Sequence, residues 1–288
     1  MSVRIFAPAK INLTLKVARP RADGMHPLQS VVAFADVGDM VEATPSDGLS
    51  LKVVGDFADQ IGPDDDNLVL RAARALGEAA GRRANANLTL EKNLPVASGI
   101  GGGSADAAAT LRALNDLWGL NWSNAQLAEV GARLGSDVPV FFTRASAAYM
   151  TGAGETCAPF HLWPMPGVLI NPLKPLATPD VFRAFDQMRL GSDLTDDAPP
   201  EWDGEDEAIA AMRMLGNDLE PAARALMPEI GDILTDLAAS EHVRHAALSG
   251  SGATVFAIAH DWDGAETLAD ELIDRHPAWW IAEATLGA

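Results

Sequence analysis

Four of the five residues from Gly99 to Gly103 are glycine, and Ser104 then leads into an alanine-rich stretch, ADAAATLRALNDLWGL. That density exceeds what an ordinary turn needs. Without side chains, backbone N–H groups can approach an anion closely. The helix predicted to follow adds unsatisfied amides and a positive dipole end. The run from Ser98 to Ser104 therefore reads as a phosphate-cradling loop feeding a helix, which points to a nucleotide-using enzyme. It is not a GxxxxGK[ST] loop, because no lysine follows the last glycine. Nor is it a Rossmann GxGxxG, because strand period and downstream acid do not fit. A purely structural glycine turn is the competing reading.

Around this loop the chain alternates strand and helix patterns. VRIFAPAKINLTLKVA reads as two strands broken at Ala7-Pro8-Ala9, and QSVVAFADVGDMVEATP as strands joined by a turn at Gly38-Asp39. LSLKVVG is a further strand, followed by an acidic loop ending at Asp66 and Asn67. Helical spacing then runs from Asn67, a good N-cap, to Gly81. NANLTLEKNLP alternates as a strand, and the central helix extends from Ser104 to near Gly119, with Leu111, Leu114 and Trp118 on one face. NAQLAEVGARLG is helical, and VFFTRASAAYM is a buried helix or strand. The Gly- and Pro-rich TGAGETCAPFHLWPMPGV suggests a domain boundary, dividing the chain into 1–158 and 159–288. The second part shows helices at 179–190, 205–215 and 219–239, an acidic exposed loop at 192–207, and a closing strand, loop, strand, helix, strand series.

The 288 residues are 48% hydrophobic, enough for substantial cores, yet no apolar run approaches the roughly 20 residues of a bilayer span. The first residues, MSVRIFAPAK, lack the apolar region of a signal peptide, so a cytoplasmic protein is expected. A net charge of -19 argues against nucleic acid and anionic membranes as partners. The acid is unevenly spread. Arg4, Lys10, Lys16, Arg19 and Arg21 face only Asp23 within the first 26 residues, a positive strip suited to an anionic small molecule or simply a solvated edge. The single Cys157 excludes an internal disulfide and multi-cysteine zinc, and reads as a buried structural thiol.

Other positions gain meaning only in combination. Ser249-Gly250-Ser251-Gly252 could be a tight hairpin or a second set of backbone donors for a polyphosphate. Lys10, in AKINL, could be surface decoration, and Asp137, in GSDVP, could cap a helix that admits Pro139 in its first turn. A phosphate loop, a lysine and a carboxylate together meet the needs of phosphoryl transfer to an alcohol: phosphate positioning, a cation, and a base for the hydroxyl proton. His26 could be a turn histidine or a ligand-reading one.

With PAKINL, RADGMH, PVASGIGGGSADAA, GSDVPVFF and LSGSGATVF in order from residue 8 to 256, the sequence resembles the GHMP kinase superfamily. PAKINL and RADGMH narrow the likeness to its branch acting on 4-diphosphocytidyl-2-C-methyl-D-erythritol. The resemblance implies ATP-dependent phosphorylation of that molecule's 2-hydroxyl, with Asp137 as base and Lys10 as its partner. It places ATP along Pro95, Val96, Ala97, Ser98, Gly99, Ile100, Gly101, Gly102, Gly103, Ser104 and Ala105, with Asn67 near adenine. Asn12 would touch the substrate, His26 would read the cytosine edge, and Phe182 would stack on the base. Met25 stands where the family usually has tyrosine, so a thioether would form the other side of that stack.

The implied fold is an α/β (α+β) pair of domains. The first has a left-handed βαβ crossover and the second is ferredoxin-like. Magnesium should accompany ATP, but no carboxylate cluster in the sequence names its ligands. Competing readings are a GHMP kinase for homoserine or mevalonate, and a non-catalytic ligand sensor on the same fold. The oligomeric state is not legible.

Overall fold

The computed structural model describes residues 2–61, 66–143, 145–194 and 198–288. Its frame is a long antiparallel pair, β1 (Val3–Asn12) and β3 (Leu28–Thr44), with the short β2 (Lys16–Val17) beside the start of β3. β4 (Leu49–Val54) and β5 (Ala86–Glu91) run parallel, so the chain must cross over between them, and α1 (Leu68–Ala79) is that crossover. Asn67 caps it, its side chain accepting from the Val69 amide at 2.8 Å, as the sequence led one to expect. α2 (Gly102–Leu117) packs against β1, β3 and α1, burying Leu111 and Leu114. α3 (Asn124–Ala132) starts from a Ser123–Gln126 capping box. A 3-10 turn at Pro139–Phe142 and the hairpin of β6 (Ala147–Thr151) and β7 (Thr156–Phe160) complete this half.

The second half contains β8 (Met165–Asn171), α4 (Thr178–Gln187), α5 (Glu205–Leu215), α6 (Glu220–Leu226), α7 (Glu229–Ala239), β9 (Val243–Leu248), β10 (Val255–Ala259), α8 (Trp262–Arg275) and β11 (Trp280–Leu286). Its strands lie in the order β11-β8-β10-β9, all antiparallel, which is the ferredoxin-like winding. β11 also pairs with β3 through Leu286 and Ala35, and the Gly287 amide donates to the Phe34 carbonyl at 2.8 Å. The two halves thus share one sheet, and the last residues of the chain fasten it.

Several local expectations need correction. β1 does not break at Ala7-Pro8-Ala9. It continues with a register shift between Pro8 and Lys10, a bulge that accommodates the missing amide of Pro8. Gly38-Asp39 is not a turn but lies inside the 17-residue β3. Glycine is needed there because β1 presses so close that a Cβ on Gly38 would lie 2.3 Å from the Ala7 carbonyl oxygen. The predicted helix at 219–239 is two helices, α6 and α7, parted at Met227-Pro228, where proline cannot donate into the preceding turn. VFFTRASAAYM is neither one helix nor one strand, but the end of the 3-10 turn followed by β6. Arg144 within it lies outside the described residues, as do 62–65 of the first acidic loop and 195–197 of the second.

Gly38→Ala should lower stability by about 1–3 kcal/mol through overpacking of β1 against β3. Urea denaturation of the two proteins measures the difference.

Candidate active site

One contact joins the two glycine-rich segments. Gly99 has φ +77°, and a Cβ there would fall 2.6 Å from the Gly252 carbonyl oxygen and 2.8 Å from that of Ser249. The β9–β10 loop therefore lies directly behind the central loop, backbone on backbone. Ser249 Oγ accepts from the Asn12 amide at 3.1 Å and donates to the Gly99 carbonyl at 3.2 Å, while the Thr254 amide donates to the Ser98 carbonyl at 3.1 Å. Asn217 Nδ2 holds the second loop from below through the Leu248 and Gly250 carbonyls, both at 2.8 Å.

The central loop also rests on β1. The Lys10 amide donates to the Ile100 carbonyl at 2.9 Å, and a Cβ on Gly101 would be 3.3 Å from Lys10 Cβ. Gly101, at φ +67°, caps α2, which begins at Gly102 rather than at Ser104. The free amides of this first turn face the cleft beside the loop.

Lys10 and Asp137, 127 residues apart, meet at 2.8 Å between Nζ and Oδ2. The lysine side chain is 6% exposed and the aspartate 38%, so a buried cation holds a carboxylate that opens to solvent. Asp137 does not act as a helix cap. The turn after it starts from Val138 with no side-chain capping bond, and the carboxylate goes to Lys10 instead.

One cleft of about 1140 Å³ joins these features. Asn67, Leu68 and the central loop line it together with Lys10, Asn12, Asp137, Met25, His26 and Phe182. Among the sequence-selected loop residues, Pro95, Val96, Ala97, Ser98, Gly99, Gly101, Gly102, Gly103 and Ser104 line it, and so do Gly250 and Ser251. Ile100, Ala105 and Ser249 are buried behind the wall, and Gly252 stands back with them. Asn12 gives its Nδ2 to Ser30 Oγ at 2.7 Å.

His26 and Phe182 form a tilted pair with ring centroids 5.0 Å apart. The Nδ1 of His26 lies 2.9 Å from the Ala18 carbonyl oxygen, which can only accept, so that nitrogen carries the proton. Its Nε2 then points toward Asp186 Oδ1, 3.5 Å away.

Sequence reasoning missed a second ionic group beneath the loop. Lys92 Nζ lies 2.5 Å from Asp39 Oδ2 and 2.9 Å from Asp106 Oδ2, and all three side chains are buried. Asp39 Oδ1 also accepts from the amides of Asn93 and Leu94 at 2.6 and 2.8 Å. Asp39 and Lys92 are 53 residues apart, so only the pairing of β3 with β5 joins them. Asp106 did leave a trace in the sequence, as an acid interrupting an alanine run.

Burial raises the Asp106 carboxyl, Lys92 opposes this and Asp39 adds to it, leaving the group at about 7. Burial works against the Lys92 charge, but Asp106 and Asp39 outweigh it and hold the ammonium above its ordinary value. The positive N-terminal strip is largely neutralised. Lys10 is paired with Asp137, Lys16 with Asp218 at 2.6 Å, Arg4 with Glu91 and Arg21 with Asp23. Among the described residues no group of three or more His, Cys, Asp or Glu could hold a metal ion. The carboxylates nearest the glycine loop are already spent on lysines.

The family models for the GHMP kinases N terminal domain and GHMP kinases C terminal match residues 67–144 and 205–278. The chain belongs to the GHMP kinase family. It is 45% identical over 286 residues to the 4-diphosphocytidyl-2-C-methyl-D-erythritol kinase of Paramagnetospirillum magneticum, covering 99% of each chain. It is 46% identical to the enzyme of that name from Bradyrhizobium sp., covering 96% of this chain and 95% of that one. A crystal structure of 4-(cytidine 5'-diphospho)-2C-methyl-D-erythritol kinase superposes with a TM-score of 0.79 at 33% identity, over 99% of this chain and 100% of that one. A homoserine kinase from Cytophaga hutchinsonii shares the fold at a TM-score of 0.69 and 18% identity, covering 99% of this chain and 95% of that one. The expected GHMP kinase architecture is borne out by these matches.

Cys157 sits close to the Lys10–Asp137 pair, and burial, opposed by Lys10 and assisted by Asp137 and Glu155, pushes its thiol up to about 12. At pH 8 such a thiol is thiolate in only about one molecule in 10⁴. Its alkylation by iodoacetamide should therefore run about 10³-fold slower than that of a free cysteine. Timed labelling followed by mass spectrometry checks this.

Proposed function

We propose that this protein is a 4-diphosphocytidyl-2-C-methyl-D-erythritol kinase, transferring the γ-phosphate of ATP to the 2-hydroxyl of that substrate. The observation carrying the reading is the Lys10–Asp137 pair, in one cleft with the glycine loop and the His26–Phe182 pair. Each group suits one part of the reaction. The glycine loop and the first turn of α2 offer backbone donors to a triphosphate, with Asn67 near the adenine and Gly250 and Ser251 beside the loop. Phe182 and Met25 flank a flat base, and His26 meets its edge.

Asp137 takes the proton from the substrate hydroxyl as the oxygen attacks phosphorus. Lys10 keeps Asp137 oriented and supplies positive charge to the developing alkoxide and the phosphoryl group in flight. Its burial makes that charge effective, because little water screens it. Asn12 borders the same space and helps place the substrate. Magnesium would accompany the nucleotide and neutralise phosphate charge there; among the described residues no group of three or more His, Cys, Asp or Glu could hold it. The chain works as a cytoplasmic enzyme in this reading, and among the described residues no helix is long and apolar enough to cross a membrane.

ATP consumption by the purified protein should depend on the cytidylyl substrate and be absent with homoserine or mevalonate; the reverse preference would move the chain to another branch of the family. Asp137→Asn should lower turnover by about 10²–10⁴-fold, the range for loss of a general base, while ATP binding stays largely intact. Steady-state kinetics beside nucleotide titration separates the two effects. Near-normal turnover would remove Asp137 from the base role and favour a different proton acceptor.

A further inference from the structure

The Asp39–Lys92–Asp106 cluster has no part in the proton transfer above, yet Lys92 and Asp106 both line the cleft at the glycine loop. Lys92 Nζ presses on the loop itself, since a Cβ on Gly102, the first residue of α2, would lie 3.1 Å from it. The three groups are unequally satisfied. Asp39 accepts from Lys92 and from two backbone amides, while Asp106 Oδ2 accepts from Lys92 alone. Asp106 Oδ1 is buried and has no partner at all.

With both carboxylates ionised, the cluster carries one negative charge in excess, at low dielectric, behind a loop built to receive phosphates. A polyphosphate on that loop would be repelled unless the excess is removed. Two of the charges are locked in place. Lys92 is gripped from both sides, and Asp39 is saturated with donors. Only Asp106 has a free oxygen to take a proton.

We propose that Asp106 takes up a proton from solvent when nucleotide binds, so that the cluster becomes neutral and the charge of Lys92 acts on the bound phosphates. No bond of the nucleotide changes in this step; a buffer acid loses the proton and the Asp106 carboxylate gains it. Asp106 is thus a positioning residue for the nucleotide, acting through Lys92. The inference rests on the reading of the glycine loop as the triphosphate site.

The charged groups facing Asp106 are Lys92, from the segment after β5, and Asp39, from β3. Gly103 packs on the apolar Leu68 of α1, and Lys10 of β1, against Gly101, is held by Asp137. The position of the carboxyl near 7 in the free protein supports the idea, because a modest anionic push then suffices to protonate it at neutral pH. The sign follows directly. Below about pH 7 Asp106 is already protonated and binding needs no proton; above it, each binding event must acquire one, and affinity falls as pH rises.

The test is calorimetric titration of the whole protein with magnesium-ADP at pH 7.5, in buffers of different ionisation enthalpy. Wild type should take up about half a proton or more per nucleotide, as a one-unit rise from about 7 requires. D106N should take up less by that amount, any contribution from the nucleotide itself cancelling between the two. The same proton count in both proteins overturns the proposal. Wild type alone provides a second arm that does not depend on the variant folding. Its Kd for magnesium-ADP should rise up to about tenfold from pH 6 to pH 9, and a flat profile overturns the proposal. Absence of binding heat in both proteins would instead sink the reading of the loop as a nucleotide site, and this inference with it.

Discussion

The packing of Gly99 against Ser249 and Gly252 is the contact on which the rest of the cleft depends. Here two stretches of backbone, 150 residues apart, approach so closely that a Cβ on Gly99 would meet the Ser249 and Gly252 carbonyls and a Cβ on Gly250 would meet the Gly99 carbonyl. The contact joins the two halves of the molecule at the loop we propose as the phosphate site. It makes the shape of the loop a property of the whole fold rather than of the local sequence. Ser249 extends the contact to β1 by bonding the Asn12 amide, and the Lys10 amide bonds the loop at Ile100. A shift of the second half would therefore move the loop and Lys10 together.

Electrostatics divides the cleft into two lysine sites with different surroundings. Lys10 has one carboxylate, partly open to solvent, and that carboxylate is left able to take a proton from a substrate. Lys92 has two, both buried, and its charge is more than cancelled until one of them is protonated. In the proposed reaction the same residue type serves in one place as a partner to the chemistry and in the other as a support under the phosphate loop. Low dielectric strengthens the buried Lys92 group, and it is also why an unpartnered oxygen on Asp106 carries weight.

The element pattern was legible wherever a local cause operates. Asn67 caps α1, and Ser123 and Gln126 close a capping box before α3, because those bonds lie within three residues of each other. Pro228 divides α6 from α7 for an equally local reason that the apolar period of 219–239 concealed. Gly38 misled because a glycine required by a crossing strand looks, in sequence, like a glycine required by a turn. The end of β11 joining β3 was not visible, since one pairing across 251 positions leaves no periodicity.

By itself the sequence determined a glycine-dense loop ahead of a helix, since glycine density and helix propensity are local. Its ordered motifs carried the family, and with Lys10 and Asp137 they carried the type of reaction. Only the tertiary structure decided that Lys10 reaches Asp137 rather than solvent, that Asp137 is not a cap, and that Ser249 and Gly252 support the loop from behind while Gly250 and Ser251 face the cleft. It alone brought Asp39, Lys92 and Asp106 together. Distance, burial and charge balance belong to groups from separate strands and helices, and no stretch of chain encodes them until the sheet has formed.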